Sequence, residues 1–330
     1  MLPLPNFAQS YRSGIWRVPY LERAAAARTW AQAHQICPAA MDKTRIGLLL
    51  IDVQNTFCTP DFELFVAGAP ADNERLCGWI YQHLNDITQI WATLDTHTAA
   101  QIFHPLFWCD AEGNPPVPSA TIITPEAIAA GVWRVNGAIA TALGMTPAQM
   151  EDYATYYVQQ LSAAGKYPLT VWGYHSMLGG IGHALVSAVE EAIFFHGIAR
   201  QSQPKLVLKG SHPLTENYSV LRPEVNRDPQ GRSLVPFNET LLQEWLSLDA
   251  LFIAGQAKSH CVAWTIADLL SAIRERDDTL ARKIYLLEDC TSPVVVSGVV
   301  DFTAQADAAF DQFGAAGMHR IHATDPLPLI

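Results

Sequence analysis

The sequence lacks the features that would assign it to a membrane or a nucleic-acid partner. No run of apolar residues approaches the ~20 residues needed to cross a bilayer. The 330-residue chain carries 21 Lys and Arg residues against 32 Asp and Glu residues, a formal net charge of −11, and it contains no basic cluster. This balance argues against binding to a phosphate backbone or an anionic membrane surface. A small molecule or another protein is the expected partner.

Closely spaced cysteine pairs and a secretion signal are also absent. The six cysteines lie far apart and form no Cys-x-x-Cys motif: Cys37, Cys58, Cys77, Cys109, Cys261 and Cys290. This distribution is typical of reduced thiols in a reducing compartment rather than of a disulfide scaffold. The first residues, MLPLPNFAQSYRSG, contain neither the basic segment nor the apolar segment of a secretory signal. We therefore expect a soluble, cytoplasmic protein.

The sequence does contain a repeated alternation of apolar, strand-like runs and helical patterns. The strand-like runs are residues 46–53, 90–96, 169–173, 205–210, 250–255, 283–289 and 319–323. Helical patterns occupy residues 21–34, 71–90 and 182–199, and further ones follow Phe237, Ser259 and Val300. The alternation predicts an α/β fold with a three-layer, doubly wound, mostly parallel six-stranded sheet that carries helices on both faces.

Two regions fall outside this alternation. Residues 1–44 combine a Pro-rich start with an Ala-rich helical segment, and we interpret them as an N-terminal extension. Residues 105–168 contain the stretch CDAEGNPPVPSA and two helical patterns, one of which begins near Thr146 and stops at Gly165. We interpret them as a helical insertion near the mouth of the site, within a single domain at residues 45–330.

Polar residues occupy the ends of four strand-like runs. Asp52 lies in LLIDVQNTFC, Asp95 ends the second run, Lys209 ends LVLKG, and Cys261 follows FIAG at the start of a helix. Each has an ordinary explanation when it is taken alone: a helix cap, a solvated lysine or a small buried hydrophobe. Because ligands of parallel sheets bind beyond the carboxyl ends of the strands, the set predicts a carboxylate, an ammonium group and a thiol in one site.

These three groups match the requirements of acyl transfer through a thioester. A neighbouring cation and a helix N-terminus lower the pKa of a thiol, and Lys209 and the helix after Ser259 would do so for Cys261. Asp52 would take the thiol proton and return it to a leaving amine. Backbone N–H groups at the helix start would bind the oxyanion. The predicted reaction is the hydrolysis of an amide.

A second group of polar residues has the composition of a metal site. Asp95 and His97 lie two residues apart, so their side chains share one face of an extended chain, and His175 follows in VWGYHSMLGG. One carboxylate and two imidazoles suit Zn²⁺, or Mn or Fe, with water completing the shell. His104 is a further candidate ligand, or part of a packed turn. A hydrogen-bonded Asp–His pair without a metal is the alternative interpretation.

Five segments, in this order along the chain, resemble the nicotinamidase branch of the isochorismatase-like cysteine hydrolases. They are LLIDVQNTFC, DTH, VWGYHSMLGGIG, LVLKGSHPLTENYS and IAGQAKSHCVAWTIADLL. The resemblance implies an isochorismatase-like fold and the conversion of nicotinamide and water to nicotinate and ammonia in NAD salvage. It carries over a catalytic triad and a set of metal ligands: Cys261, Asp52 and Lys209, and then Asp95, His97 and His175.

The resemblance also assigns residues to the oxyanion and the substrate. It implies a non-proline cis peptide at Gln256–Ala257, which would turn the N–H of Ala257 toward the oxyanion beside that of Cys261. Phe57 and Trp172 match aromatic residues that sandwich a pyridine ring, and the metal would bind the ring nitrogen. Packing in the core is the alternative interpretation of both aromatic side chains.

The chain departs from the family pattern in ways that concern the substrate. Ser259 stands where an acidic residue is common, YSVLRPEV replaces the usual small residues after the lysine segment, and the extension and the insertion are additional. Two alternatives therefore stay open: a cysteine hydrolase of carbamoyl or ureido compounds, whose members generally lack the metal residues, and a non-enzymatic zinc-dependent binding protein. We expect a small aromatic amide as the substrate and a homo-oligomer as the assembly.

Overall fold

The computed structural model describes residues 1–296 and 298–328. Its strands are β1 (Ile46–Ile51), β2 (Ile87–Asp95), β3 (Trp108–Cys109), β4 (Ile122–Ile123), β5 (Arg134–Val135), β6 (Leu169–Thr170), β7 (Lys205–Lys209), β8 (Ala250–Gly255), β9 (Ile284–Leu287), β10 (Val295–Val296), β11 (Val300–Asp301) and β12 (His319–Ile321). Its α-helices are α1 (Tyr20–Ala33), α2 (Asn55–Cys58), α3 (Ala69–Gln82), α4 (Pro125–Ala129), α5 (Gly137–Ala142), α6 (Pro147–Ala163), α7 (Ser187–Arg200), α8 (Glu239–Leu246), α9 (Ala263–Arg274) and α10 (Thr303–Ala315).

A six-stranded parallel sheet forms the centre of the molecule, in the order β12-β9-β8-β1-β2-β7. The register places Ile51 beside Gly255 on β1 and β8, and Asp95 beside Lys209 on β2 and β7. The carboxyl ends of these four strands therefore meet at one edge of the sheet. The predicted fold class is confirmed, with all strand pairs of this sheet parallel.

Two hydrophobic clusters lie on opposite faces of this sheet, because successive side chains of a strand point to opposite faces. Leu48 and Leu50 of β1 join the cluster that includes residues of α3 and α7. Leu49 and Ile51 join the cluster that includes residues of α8, α9 and α10. β1 is buried along its whole length, as expected of a strand covered by helices on both sides. The molecule therefore has the predicted three layers.

Two element predictions outside residues 105–168 are wrong. Residues 169–173 do not form a strand of the central sheet: only Leu169–Thr170 form a strand, and it pairs antiparallel with β4. Their apolar character comes from burial in a third hydrophobic cluster, which an apolar run alone does not distinguish from a place in the main sheet. The helical pattern at residues 71–90 also ends early, since α3 stops at Gln82 and β2 begins at Ile87.

Residues 105–168 hold three helices, α4, α5 and α6, where the sequence predicted two. α6 begins as predicted: the Thr146 hydroxyl accepts a hydrogen bond from the Gln149 N–H, and the Gln149 side chain accepts one from the Thr146 N–H. Gly165 follows this helix with a φ of 63°. The side chains of this region pack together with Phe103 and Trp172, beside the carboxyl edge of the central sheet.

Residues 1–44 lie along the outside of the helical layer formed by α3 and α7. Trp30 of α1 packs against Phe195 of α7 at a ring separation of 5.9 Å, and Arg200 of α7 pairs with the Asp42 carboxylate. The division into an extension, a domain at residues 45–330 and an insertion stays a prediction. In the described part of the chain, no helix is both long enough and apolar enough to cross a membrane.

Candidate active site

The strand ends bring Asp52, Lys209 and Cys261 together in a buried cluster. The Lys209 Nζ atom lies 2.9 Å from Asp52 Oδ2, 2.8 Å from Asp95 Oδ1 and 3.5 Å from Cys261 Sγ. It also donates a hydrogen bond of 2.8 Å to the Asn217 carbonyl. Both carboxylates, the ammonium group and the thiol are less than a tenth exposed. The ammonium group is therefore the common neighbour of the thiol and of two carboxylates.

Asp52 follows β1 directly and is held by a neighbouring strand. Its φ of 48° is in the left-handed region, where an aspartate is tolerated better than most residues. The Asp52 N–H donates to Thr93 Oγ1 at 3.0 Å, and the same hydroxyl donates to Asp52 Oδ1 at 2.5 Å. Burial raises the pKa of Asp52 above its ordinary value, against the opposing effect of Lys209. A carboxylate with a raised pKa is a stronger base than an exposed one.

The other two groups also have shifted pKa values. Burial alone would lower the pKa of Lys209, but Asp52 and Asp95 outweigh it and raise that pKa well above its ordinary value. Burial raises the pKa of the Cys261 thiol well above its ordinary value, and the charge of Lys209 does not compensate. The predicted net lowering of the thiol pKa is therefore wrong for this arrangement, because removal of water outweighs the one nearby cation.

Cys261 lies in a single turn of π-helix, Lys258–Val262, that joins β8 to α9. The Val262 N–H donates to the Ala257 carbonyl at 3.2 Å, which defines the widened turn. The peptide bond between Gln256 and Ala257 is cis, as the family resemblance implied. Within the described residues the Ala257 N–H has no acceptor. This N–H and that of Cys261 are the two predicted oxyanion donors.

Asp95, His97 and His175 form a second buried cluster beside the first. Their ligand atoms lie within 4.8 Å of one another. Asp95 Oδ2 is 2.8 Å from His97 Nε2 and 3.5 Å from His175 Nε2. His97 Nδ1 donates to the Gly210 carbonyl at 3.0 Å, and His175 Nδ1 donates to the Gly173 carbonyl at 2.8 Å. Because each Nδ1 carries the proton, each Nε2 has a free lone pair that faces the Asp95 carboxylate. Two such imidazole nitrogens and one carboxylate oxygen are a typical ligand set for a divalent metal ion.

His104 lies next to this cluster but outside the set of converging ligand atoms. Its ring centre is 5.7 Å from that of His97 and 5.6 Å from that of His175. Its Nδ1 donates to the Thr98 carbonyl at 3.0 Å, and its buried Nε2 has no hydrogen-bond partner among the described residues. Burial lowers the pKa of His104 to about 3, so the ring is neutral and Nε2 is a free acceptor.

A cavity of about 380 Å³ opens over both clusters. Asp95, His97, His175 and Cys261 line it, and so do the two aromatic residues predicted to hold the substrate, Phe57 and Trp172. Phe57 contacts His175 edge-on, with the ring centres 5.8 Å apart. Neither Asp52 nor Lys209 lines it; Lys209 contacts Asp95 and Cys261, which do, and Asp52 contacts Lys209. All the predicted site residues except His104 thus belong to, or directly adjoin, one cavity.

Four residues of this site were missed by the sequence reasoning. Thr93 holds Asp52, whereas Glu216, Tyr218 and His260 line the cavity. Glu216 and Tyr218 follow the carboxyl end of β7, in LVLKGSHPLTENYS, so the rule that flagged Lys209 also applies to them. His260 directly precedes the cysteine, and burial lowers its pKa to about 3. Thr93 has no comparable signal, because a threonine inside a strand is ordinary.

The fold is that of solved nicotinamidase structures. Neither a family model nor a curated protein sequence matches the chain. An Acinetobacter baumanii nicotinamidase and pyrazinamidase is 17% identical, with 86% of this chain and 98% of that chain covered and a TM-score of 0.52. The yeast nicotinamidase bound to the inhibitor nicotinaldehyde is also 17% identical, with 84% and 99% covered and a TM-score of 0.52. At this identity the likeness concerns the fold, and the chemistry has to be argued from the residues.

Proposed function

We propose that the protein is an amidohydrolase that releases ammonia from a small aromatic carboxamide through a thioester, and that nicotinamide is its substrate. The observation that carries the proposal is the contact of one buried lysine with a thiol and two carboxylates at the floor of a cavity. This thiol, carboxylate and ammonium group are the parts that amide hydrolysis through a covalent intermediate requires. The fold shared with nicotinamidases agrees with this choice of substrate.

In the proposed first half of the reaction, Cys261 Sγ attacks the amide carbon while its proton passes to the Asp52 carboxylate. The new S–C bond forms as the carbonyl π electrons move to the oxygen. When the tetrahedral intermediate collapses, the C–N bond breaks and Asp52 gives its proton to the leaving nitrogen, so ammonia departs. In the second half Asp52 takes a proton from water, the hydroxide adds to the thioester, and the C–S bond breaks. The thiolate recovers the proton from Asp52, and the carboxylic acid product leaves.

Lys209 stays an ammonium ion throughout this proposed reaction. Its raised pKa keeps it charged, and its contacts with Asp52 and Cys261 let it stabilise whichever of the two carries the negative charge. The N–H groups of Ala257 and Cys261 would bind the developing oxyanion. Removal of one such donor costs other hydrolases about a hundredfold to a thousandfold in rate.

The residues near the thiol fit a bound divalent ion. Asp95, His97 and His175, whose ligand atoms converge, would hold it. Zinc, manganese and iron all accept one carboxylate and two or three imidazoles. When bound, the ion would act as a Lewis acid that takes the ring nitrogen of a pyridine. Phe57 and Trp172 would cover the two faces of that ring and orient its carboxamide toward Cys261.

Three further expectations from the sequence belong to this proposal. They are a cytoplasmic location, a role in NAD salvage and a homo-oligomeric assembly. The location follows from the cysteine pattern, whereas the role in NAD salvage follows from the choice of nicotinamide as substrate.

Release of ammonia from nicotinamide tests the proposed function directly. We expect turnover by the wild type, a loss of at least about a thousandfold in kcat for Cys261→Ala, and a strong loss after chelation that added Zn²⁺, Mn²⁺ or Fe²⁺ reverses. Lys205→Ala, on the exposed part of β7, is the matched control and should keep wild-type turnover. No turnover of any small aromatic amide would contradict the substrate. Turnover that survives Cys261→Ala would contradict the mechanism.

The same assay separates the two alternatives. Activity on carbamoyl or ureido compounds that is insensitive to chelation, together with a dead Cys261→Ala variant, would favour the hydrolase of such compounds. Metal-dependent ligand binding without any turnover would favour the non-enzymatic binding protein.

A further inference from the structure

A carboxyl group that the proposed reaction does not use lines the cavity. Glu216 lies in the loop after β7, beside Asn217, whose carbonyl accepts from Lys209. Its side chain is buried, with 4% of the residue exposed. A buried carboxyl group in an apolar cavity is costly unless it is well partnered or serves a ligand. The hydrogen-bond partners of Glu216 therefore show whether it is fully satisfied within the protein or can bind a ligand.

Glu216 has hydrogen-bond donors around it but no cation. Its Oε1 accepts from the Tyr218 hydroxyl at 2.9 Å and from Trp172 Nε1 at 3.3 Å. Its Oε2 accepts from the Tyr157 hydroxyl at 3.4 Å. A carboxylate has about four acceptor positions, and two of these three bonds are long, so acceptor capacity remains.

The neighbouring buried carboxyl group, Glu224, differs from Glu216 because it has a cationic partner. It pairs with Lys166 at 3.0 Å, and the same ammonium group lies over the Trp264 ring. Among the described residues, Glu216 has no lysine or arginine within ion-pair distance. The cavity lining, within the described residues, also contains no lysine or arginine side chain. A ligand with a cationic or donating nitrogen would therefore meet no competing lysine or arginine at Glu216 among the described residues.

The walls around Glu216 suit such a ligand. Trp172 and Tyr218 both line the cavity and both donate to this carboxyl group, so their rings stand beside it. Aromatic faces attract cations and polarised N–H groups through their quadrupoles. A carboxylate at the edge of an aromatic cleft is therefore complementary to an aromatic ring that carries an amino group.

We propose that Glu216 determines specificity within the ring carboxamides: it accepts a hydrogen bond from a ring amino substituent and so favours amino-substituted relatives of nicotinamide over nicotinamide itself. The proposal rests on the proposed function, because it places the carboxamide at Cys261 and the ring beside Trp172. The amino N–H donates to the free acceptor position of Glu216. Unsubstituted carboxamides leave that position unfilled, and they bind less tightly for this reason.

The titration of Glu216 agrees with this role. Burial raises the pKa of Glu216 to about 8, with the negative charge of Glu224 adding to the effect and the donors Tyr218, Trp172 and Tyr157 opposing it. The group is therefore mostly neutral near pH 7 in the empty cavity. An amino-substituted ligand favours the ionised form, so its binding should release protons from the protein.

Glu216 also holds the indole of Trp172, so a purely positioning role has to be separated from recognition. Loss of a positioning contact weakens all ring carboxamides alike. Loss of recognition weakens the amino-substituted ones selectively. The ratio of the two affinities is the quantity that distinguishes the roles.

The test uses the full chain with Cys261→Ala, which binds without turnover, and aminopyridine carboxamides with the amino group at different ring positions. Calorimetry gives their dissociation constants relative to nicotinamide. We expect at least one of them to bind more tightly than nicotinamide, and Glu216→Gln to reduce that preference by about tenfold or more. Proton release on binding, measured in buffers of different ionisation enthalpy, should disappear in the same variant.

Glu224→Gln is the matched control, because it removes a buried carboxylate of the same cluster that does not line the cavity. Loss of the Glu224 charge also lowers the pKa of Glu216, so the proton release can change, but no contact with the ligand is removed, and we expect the affinity ratio to stay within about threefold. If Glu216→Gln does not fold, Glu216→Asp keeps the charge, withdraws it by one methylene group and should also reduce the preference. An unchanged ratio in the folded Glu216 variant would overturn the proposal. Ammonia release by the wild type from the same amides tests the proposed function separately.

Discussion

At the scale of single residues, Lys209 is the charge on which both buried carboxylates depend. Replacement by methionine leaves Asp52 and Asp95 without the ammonium group that lies within 2.9 Å of each. Breaking a buried charge network in this way costs about 3–5 kcal/mol. We therefore expect Lys209→Met to lose that much free energy of unfolding, measured by denaturant titration, and to lose activity.

Lys205→Met on the same strand is the control for this prediction. Its Nζ atom lies 2.6 Å from Glu244, but the side chain is 44% exposed, and an exposed pair contributes about 0–1 kcal/mol. Equal losses in the two variants would show that the buried network does not stabilise the fold.

His196, which lies outside the candidate active site, makes the free energy of unfolding depend on pH. Its Nε2 donates to the Ile87 carbonyl at 2.9 Å, and burial, with the charge of Arg200, lowers its pKa from 6.5 to about 4 against the effect of Asp42. Between about pH 4 and pH 6.5, His196 is therefore neutral in the folded protein but protonated in the unfolded chain. Stability is fully present above pH 6.5 and is lost as the pH falls from 6.5 toward 4, by up to about 3 kcal/mol.

Unfolding of the wild type and of His196→Gln at several pH values measures this contribution. Glutamine keeps an N–H donor but does not titrate, so the variant should lose less stability between pH 6.5 and pH 4. Parallel curves for the two proteins would assign the acid sensitivity to other groups, among them the neutral His260.

At the scale of elements, the chain can leave β8 for the π-helical turn at Lys258–Val262 only because Gly255 has no side chain. Its φ is 120°, and a Cβ atom there would lie 2.0 Å from the Ile51 carbonyl oxygen. Strand β1 and the segment that leads to Cys261 would have to separate to admit it. We expect Gly255→Ala to lose about 2–4 kcal/mol in free energy of unfolding and most of its activity.

Gly78→Ala in α3 is the matched substitution. A Cβ atom at Gly78 meets no heavy atom within 4 Å, and alanine is favoured over glycine in a helix by up to about 1 kcal/mol. This variant should be neutral or slightly more stable. If both variants unfold alike, close packing at Gly255 is not what fixes the turn.

The elements also show which predictions a sequence supports. The runs at residues 46–53 and 250–255 are buried on both faces and continuous, so their strands were predicted well. ITQI at residues 87–90 satisfies both a helical and a strand period, and only the pairing with β1 decides between them. The prediction for residues 169–173 was wrong because an apolar run indicates burial but does not identify the strand or helix that covers it.

The candidate active site likewise has features that the sequence predicts and features that only the fold shows. Asp52, Lys209 and Cys261 could be predicted because each is a reactive group at the carboxyl end of a strand, where topology collects ligand-binding residues. The net pKa of the thiol could not, because it depends on how completely water is excluded, which no local pattern encodes. The proposed role of Glu216 depends on donors from two distant segments, Tyr157 and Trp172, so it required the fold.

At the scale of the whole molecule, residues 1–44 cover one helical face. Phe7 lies against Tyr81 and Phe195, with ring separations of 5.9 Å and 5.4 Å, and the Leu2 N–H donates to the Gln82 carbonyl at 2.9 Å. Without this segment those aromatic rings would face water, and Arg200 would lose Asp42. The extension thus behaves as a part of the core, although the sequence presented it as an addition.

A chain that starts at residue 45 tests this view. Because exposed aromatic surface and an unpaired buried guanidinium both oppose folding, we expect it to melt at a lower temperature and to aggregate. Trp30→Ala in the full chain is the milder version, and it should cost about 2 kcal/mol, since the half-buried ring packs against Phe195. Met41→Ala, at a side chain that is 72% exposed in the same segment, should change stability by less than about 0.5 kcal/mol. A shortened chain with wild-type melting temperature and solubility would make residues 45–330 an independent domain and the extension dispensable.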